Sequence, residues 1–188
     1  MQTIYTIGHS NRPIDEFLDL LREHAIATVI DIRTVPKSRH NPQFGQEALS
    51  AALGQAGIGY DYLSVLGGLR KARKDSPNGA WRNASFRGYA DHMQTEAFQE
   101  QVDQLASMDD GARCALMCAE AVPWRCHRSL VADALIVRGV PVEHIIGRGK
   151  TRPHVLTPFA VASGTRILYP PQEAAAGAVA ATPAEPDG

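Results

Sequence analysis

Residues 114–128 decide the fold: Cys114-Ala115-Leu116-Met117-Cys118-Ala119-Glu120-Ala121-Val122-Pro123-Trp124-Arg125-Cys126-His127-Arg128. A short apolar run breaks into two thiols, a carboxylate, an imidazole and two guanidiniums. Ser129–Val137 then reads as a helix closed by Gly139. That order is buried strand, polar loop, helix, which is one half of a parallel β-α repeat. Glu, Arg and His are costly beside a core unless paired or used, so the loop is the leading candidate for a working site.

Outward from this unit the same alternation recurs. Thr3–Ile7 is a strand, and Pro13 opens a helix whose Ile14, Phe17, Leu18 and Leu21 follow the spacing of one buried face. Ala27–Ile32 is a continuous apolar strand, Gln46–Gln55 a helix stopped by Gly57, and Tyr60–Leu63 a weaker strand. Tyr89 to Met108 carries one or two helices with a break near Thr95, and Val142–Ile146 is a last strand. The pattern predicts an α/β fold: a single-domain three-layer sandwich over residues 1–169, Rossmann-like or flavodoxin-like, with a mainly parallel sheet. From residue 170 to 188 the chain is Ala/Pro-rich with almost no large apolar side chains, which predicts a disordered tail.

Length and composition set the bounds. The 188 residues are 44% hydrophobic and 21% charged, enough for a real core, and no apolar stretch is long enough to span a bilayer. Met1–Ile7 lacks the basic start and cleavage site of a signal peptide, and three cysteines suit reduced thiols better than a disulfide framework. A cytoplasmic protein without a membrane partner is therefore expected. The net charge is −1, yet Arg33 to Arg87 holds nine basic residues against three acidic ones. That stretch is either a solvated surface or a face for phosphate or nucleic acid. Trp81, Phe86 and Tyr89, interleaved with Arg82 and Arg87, are either base-stacking or core residues.

Each reactive-looking cluster follows a strand and precedes a helix. They are Gly8-His9-Ser10-Asn11, Asp31-Ile32-Arg33 with Arg39 and His40 beyond, Leu66-Gly67-Gly68-Leu69-Arg70, and Cys118-Ala119-Glu120. In a parallel sheet such loops gather at the carboxyl edge, where open α/β folds bind ligands. A shared pocket at that edge follows. Taken together, these clusters and Cys126-His127-Arg128 resemble a widespread prokaryotic family known as domain of unknown function 488. The resemblance runs from about Thr3 to Tyr169. It implies an α/β fold and no established reaction, so the chemistry rests on the residues.

Several chemistries fit. As zinc ligands, Cys118, Cys126 and His127 have unfavourable spacing: the cysteines are eight apart, and adjacent Cys126 and His127 would diverge by about 100° on a helix. As nucleophiles, Cys118 or Cys126 would be activated by a helix N-terminus and by Arg125, Arg128 or Arg33, with His9 or His127 as base. The six residues between Cys118 and Arg125 do not match the five-residue cradle of cysteine phosphatases. Glu120, just beyond a strand, is the leading acid/base, with Asp31 as a partner carboxylate or an ion-pair residue. Arg33, Arg39, Arg70, Arg125 and Arg128 are candidates to hold an anion, aided by Ser10, Asn11, Gly67 and Gly68. No dinucleotide or Walker motif is present, so no cofactor is indicated beyond zinc or another metal. His24, His92, His144 and His154 show no constellation.

Two function classes stay open. One is an enzyme, a hydrolase or transferase, acting on an anionic substrate such as a nucleotide or nucleic-acid component. The other is a nucleotide- or nucleic-acid-binding module without chemistry. A metal-binding protein is third.

Overall fold

The computed structural model describes residues 2–108 and 111–171. In chain order its elements are β1 (Ile4–Gly8), α1 (Ile14–Glu23), β2 (Ile26–Asp31), α2 (Gln46–Gln55), β3 (Gly59–Tyr62), α3 (Ala84–His92), α4 (Glu96–Ser107), β4 (Arg113–Cys118), α5 (Arg128–Ile136), β5 (Val142–Gly147), β6 (Lys150–Pro153), β7 (Val161–Ser163) and β8 (Arg166–Leu168). Six strands form one sheet in the order β3-β2-β4-β1-β5-β6. The first five run parallel and only β6 is antiparallel. This is the expected α/β sandwich. The expected tail lies, from residue 172 onward, outside the described residues.

Period-two alternation explains the two cores. Ile7, Val29, Ala115, Met117 and Ile145 face α1 and α2, where Phe17, Leu21, Leu49 and Leu53 meet them. Ile4, Ile30, Leu116 and Val142 face the opposite layer of α3, α4 and α5, with Tyr89, Phe98, Val102 and Leu130. Both cores share β4, whose five residues from Cys114 to Cys118 are all buried. The helix break near Thr95 is a cap: the Thr95 side chain accepts from the Phe98 amide and opens α4.

Topology places the site. The chain moves outward from β1 through β2 to β3, returns over α3 and α4, and inserts β4 between β1 and β2. The β1 loop then leads to α1 on one face, while its neighbour after β4 leads to α5 on the other. That divergence opens a crevice at the carboxyl ends of the central strands.

The segment after β5 has little hydrophobic patterning, yet it is held by a buried polar hub. Asp133 of α5 accepts from the Thr157 amide (2.9 Å) and hydroxyl (2.7 Å), from His154 Nε2 (2.8 Å) and from the Tyr169 hydroxyl (2.8 Å). The carboxylate can only accept from His154 Nε2, which leaves His154 Nδ1 to accept from His144 Nε2 (2.9 Å). His144 Nδ1 then accepts from the Thr6 hydroxyl on β1 (2.7 Å). The hydrogen bonds therefore run in one direction from the sheet to α5. His144 and His154, unassigned in the sequence, are members of this chain.

Two buried histidines, His144 of this chain and His9 at the end of β1, make stability pH-dependent. Burial lowers His144 from 6.5 to about 3 and His9 from 6.5 to about 4. Both histidines are neutral when folded, whereas the unfolded imidazoles take up protons near their ordinary value. The stability they provide is full above pH 6.5 and is lost as pH falls toward about 4 for His9 and about 3 for His144. Each contributes a slope of up to about 1.4 kcal/mol per pH unit. Urea unfolding at pH 6.5 and 5.5 is expected to show this loss, and His144→Asn should make it shallower. An unchanged slope in the variant would refute the assignment.

Candidate functional site

A cleft of about 560 Å³ opens at the carboxyl edge, between the loops that follow β1, β2 and β4. His9, Ser10, Asn11, Arg33, Gly68, Cys118, Glu120 and His127 line it, as do Thr34, Lys37, Ser38 and Asn41. A second hollow of about 290 Å³ lies against α3, lined by Gly68, Phe86, Tyr89, Cys118, Glu120, Arg125, Cys126 and His127. Cys118, Glu120 and His127 belong to both walls. Gly68 and Leu69, from the loop after β3, also border both.

The loop after β4 owes its shape to Arg128. This side chain is 1% exposed, and its guanidinium donates to the carbonyls of Glu120 (2.5 Å) and Ala121 (2.9 Å). No carboxylate lies within salt-bridge distance of it among the described residues. Gly8 makes room on the other side, because a Cβ there would sit 1.8 Å from the Glu120 carbonyl oxygen. The His9 and Ser10 amides extend the parallel ladder by donating to the Cys118 and Ala119 carbonyls, both at 2.9 Å. A short 3-10 turn, Pro123–Arg125, then reverses the chain, and Cys126 is extended (φ −133°, ψ 144°).

This geometry overturns the spacing argument against a Cys/His cluster. Cys126 and His127 precede α5 instead of lying in its first turn, His127 being the N-cap residue. Their side chains converge. His127 Nδ1 is 3.8 Å from both Cys118 Sγ and Cys126 Sγ, and the three atoms all lie within 4.8 Å of one another. His127 Nε2 donates to the Ile32 carbonyl (2.9 Å), so the proton sits on Nε2 and Nδ1 offers a lone pair. The ring is held against Tyr89, with centroids 5.0 Å apart, and Gly68 covers it closely: a Cβ at 68 would lie 2.9 Å from Nδ1.

The thiols are not equivalent. Cys126 falls from 9.0 to about 7 because it accepts a hydrogen bond from Cys118, with the Arg128 charge and amide assisting against burial. Cys118 is pushed well up, first by donating that bond and then by burial. The first proton lost from the pair therefore comes from Cys126, where the Arg128 charge favours the thiolate. Cys114 is also buried but lies outside the cluster.

Asp31, Arg33 and His9 form a separate, tightly bonded group. Asp31 is 0% exposed and receives Arg33 Nε (2.9 Å), Arg33 Nη2 (2.6 Å), the Arg33 amide (3.0 Å) and the Tyr60 hydroxyl (2.8 Å). Arg33 Nη1 donates to the Phe44 carbonyl (2.8 Å) and to His9 Nε2 (3.3 Å). His9 Nδ1 in turn donates to the Ser10 carbonyl (2.7 Å), and its ring stacks on Phe44 at 4.2 Å. Asp31 is therefore shielded from the cleft, and most of the Arg33 guanidinium is committed to the protein. Arg33 still borders the space; Asp31 does not.

The remaining expected residues divide the same way. Ser10, Asn11 and Gly68 line the main cleft, while Arg125 and Cys126 line only the hollow against α3. Gly67 closes a turn on Ser64, and Arg70 binds the carbonyls of Gly67, Ser64 and Val65. Arg39 is exposed and away from both spaces. The basic segment beyond Arg70 lies elsewhere: Arg73 pairs with Asp75, and Arg73, Lys74 and Arg87 line a separate hollow. Asp91 anchors that segment, accepting from Ser76, Asn78 and the Arg73 amide. Trp81 stacks on Phe86 and packs against Tyr169, in the core-anchor role.

Residues 13–135 match the domain of unknown function DUF488. The chain belongs to this family. A search of the curated proteins finds no match, and a search of the solved structures finds none. The DUF488 match takes in Asp31, Arg33, the Gly67-Gly68 turn and the whole Cys118–Arg128 loop, while Gly8, His9 and Ser10 fall before it. No described helix of this DUF488 chain is long and apolar enough to cross a membrane.

Sequence reasoning passed over Lys37, Ser38, Asn41 and Thr34, which bring polar groups to the cleft, and Tyr60, which completes the bonding of Asp31. Lys37 alone carried a signal, as a member of the basic run. Arg128→Met is expected to destabilise this DUF488 chain by about 3 kcal/mol in urea unfolding, through loss of two charge-assisted hydrogen bonds. The same substitution should raise the thiol that titrates near 7, followed by thiolate ultraviolet absorbance. A thiol titration identical to wild type would contradict the pairing of Arg128 with Cys126.

Proposed function

We propose that this DUF488 chain is an enzyme that acts on an anionic substrate, by hydrolysis or group transfer, in the cleft at the carboxyl edge of the sheet. The observation that carries the reading is a coincidence of chemistry in one space. Cys118, Glu120 and His127 line the same cleft as Lys37, Ser38, Asn41 and Ser10. Reactive groups and anion-binding groups therefore meet within reach of one small molecule.

The charges favour an anion. Arg33 is balanced by Asp31, and Arg128, a buried cation with no carboxylate partner among the described residues, borders neither space and acts on the cleft only from behind the loop after β4. Lys37 adds an exposed ammonium at the rim. Hydroxyl and amide groups of Ser10, Asn11, Ser38 and Asn41 supply directional bonds. Glu120 is exposed to both spaces, which suits proton transfer to or from a bound molecule better than the enclosed Asp31. His9, neutral and bonded through both nitrogens, supports the wall and leaves base chemistry to Glu120.

Two measurements test this. Inorganic phosphate and nucleoside monophosphates are expected to raise the unfolding temperature of the protein, and Lys37→Ala should weaken that binding roughly fivefold. Against a panel of nucleotides and phosphate esters, Glu120→Gln should lower turnover by about 10²–10⁴ while leaving the thermal shift in place. Absence of any ligand-dependent shift, or no turnover of the panel by the wild-type chain, would refute the reading, and full turnover in Glu120→Gln would refute the role given to Glu120.

A further inference from the structure

We propose that Cys118, Cys126 and His127 form a zinc site whose fourth position opens into the cleft. The warrant is the arrangement of the donor atoms. A tetrahedral zinc ion with Zn–S near 2.3 Å and Zn–N near 2.0–2.1 Å separates its ligand atoms by roughly 3.5–3.8 Å. The two N···S separations are 3.8 Å each, and no pair among the three atoms exceeds 4.8 Å. Seating the ion takes contraction by a few tenths of an ångström at N···S and by up to about 1 Å between the two sulfurs.

The surroundings fit a metal ligand better than a core histidine. A histidine that binds zinc through one nitrogen generally donates its other N–H to a carbonyl or carboxylate, which fixes tautomer and ring plane. His127 does this, with Nε2 on the Ile32 carbonyl and Nδ1 aimed at both sulfurs. Tyr89 packs against the ring, and Tyr89 is itself anchored by its hydroxyl to the Leu66 carbonyl at 2.7 Å. Gly68 leaves the space beside Nδ1 free of a side chain. The ligand set is also composed for zinc: two soft thiolates and one imidazole.

Three protein ligands mark a catalytic rather than a purely structural zinc, since the vacant position takes water or substrate. Here Cys118 and His127 line the main cleft, and Glu120 stands two residues from Cys118 in the same wall. A bound water there would be acidified by the ion, and Glu120 would take or return its proton. The substrate class narrows accordingly: an anion with a bond that attack by water can cleave, such as a phosphate ester or an amidine or amide on an anionic scaffold. In that cleavage, water supplies hydroxyl to the electrophilic centre and its proton goes by way of Glu120 to the leaving group. The ion would face the cleft already assigned to substrate, so its catalytic meaning rests on that assignment, whereas metal binding stands without it.

The test uses the full chain without a metal-binding tag, purified reduced and without chelator. Zinc is expected at one equivalent per chain, and X-ray absorption should report two sulfur neighbours near 2.3 Å with nitrogen or oxygen completing the shell. Cobalt(II) should give the thiolate charge-transfer spectrum of a tetrahedral site. Cys118→Ser, Cys126→Ser and His127→Ala should each weaken binding at least 100-fold, while Cys114→Ser binds as wild type. The absorption measurement needs only the wild-type chain, so a variant that fails to fold leaves the outcome readable. No stoichiometric zinc from that preparation or on titration, a zinc shell without sulfur, or a Cys118–Cys126 disulfide in its place would overturn the proposal. Zinc bound as described with no turnover of any panel substrate by the wild-type chain would leave the metal site standing and refute the enzyme reading instead.

Discussion

The buried guanidinium of Arg128 is the constraint from which the site follows. A cation that is 1% exposed needs partners inside the protein, and here the carbonyls of Glu120 and Ala121 meet its two terminal nitrogens, while Nε is buried without a hydrogen-bond partner. Binding those carbonyls turns the chain sharply after β4 and draws it against Gly8 at the end of β1. The turn brings Cys126 back beside Cys118 and sets His127 at the start of α5. Without the clamp, eight residues of loop would have no reason to return to the strand that they left.

The rest of the fold isolates this loop from the forces that hold the sheet together. Two apolar cores, one on each face, fix β4 as the most buried strand. The Asp31–Arg33–Tyr60 group fixes the neighbouring loop after β2 by direct hydrogen bonds, and through His9 and Phe44 it braces the loop after β1. On the far side of α5, the Asp133 hub does the same for the segment between His154 and Tyr169. Polar side chains thus serve two purposes here. Those with all their partners inside the protein shape the walls, and those left open, Glu120 and Lys37 together with Cys118 and His127, face the cleft.

Much of this was legible in the sequence because it follows from periodicity. The apolar runs ending at Asp31 and Cys118, the helix face of Ile14–Leu21 and the Gly stops gave the α/β layout and the common edge. What failed to show was set by three-dimensional approach. A Cys and a His adjacent in sequence diverge on a helix, and only the 3-10 turn and the extended Cys126 let them converge. The short strands β6 to β8 carry little alternation and depend on Asp133, a contact across 24 to 36 residues. Arg33 looked like an anion binder because sequence shows a charge without showing that Asp31 already holds it.

The tautomer of His127 tests the account most directly, since it depends on the loop's geometry alone. Long-range nitrogen–proton NMR correlations on the metal-free, reduced protein should show Nε2 protonated and held in its bond to Ile32, which turns Nδ1 toward the two sulfurs. A bare Nε2 with the proton on Nδ1, or a freely exchanging imidazole with both nitrogens averaged, would contradict the convergence on which the site rests.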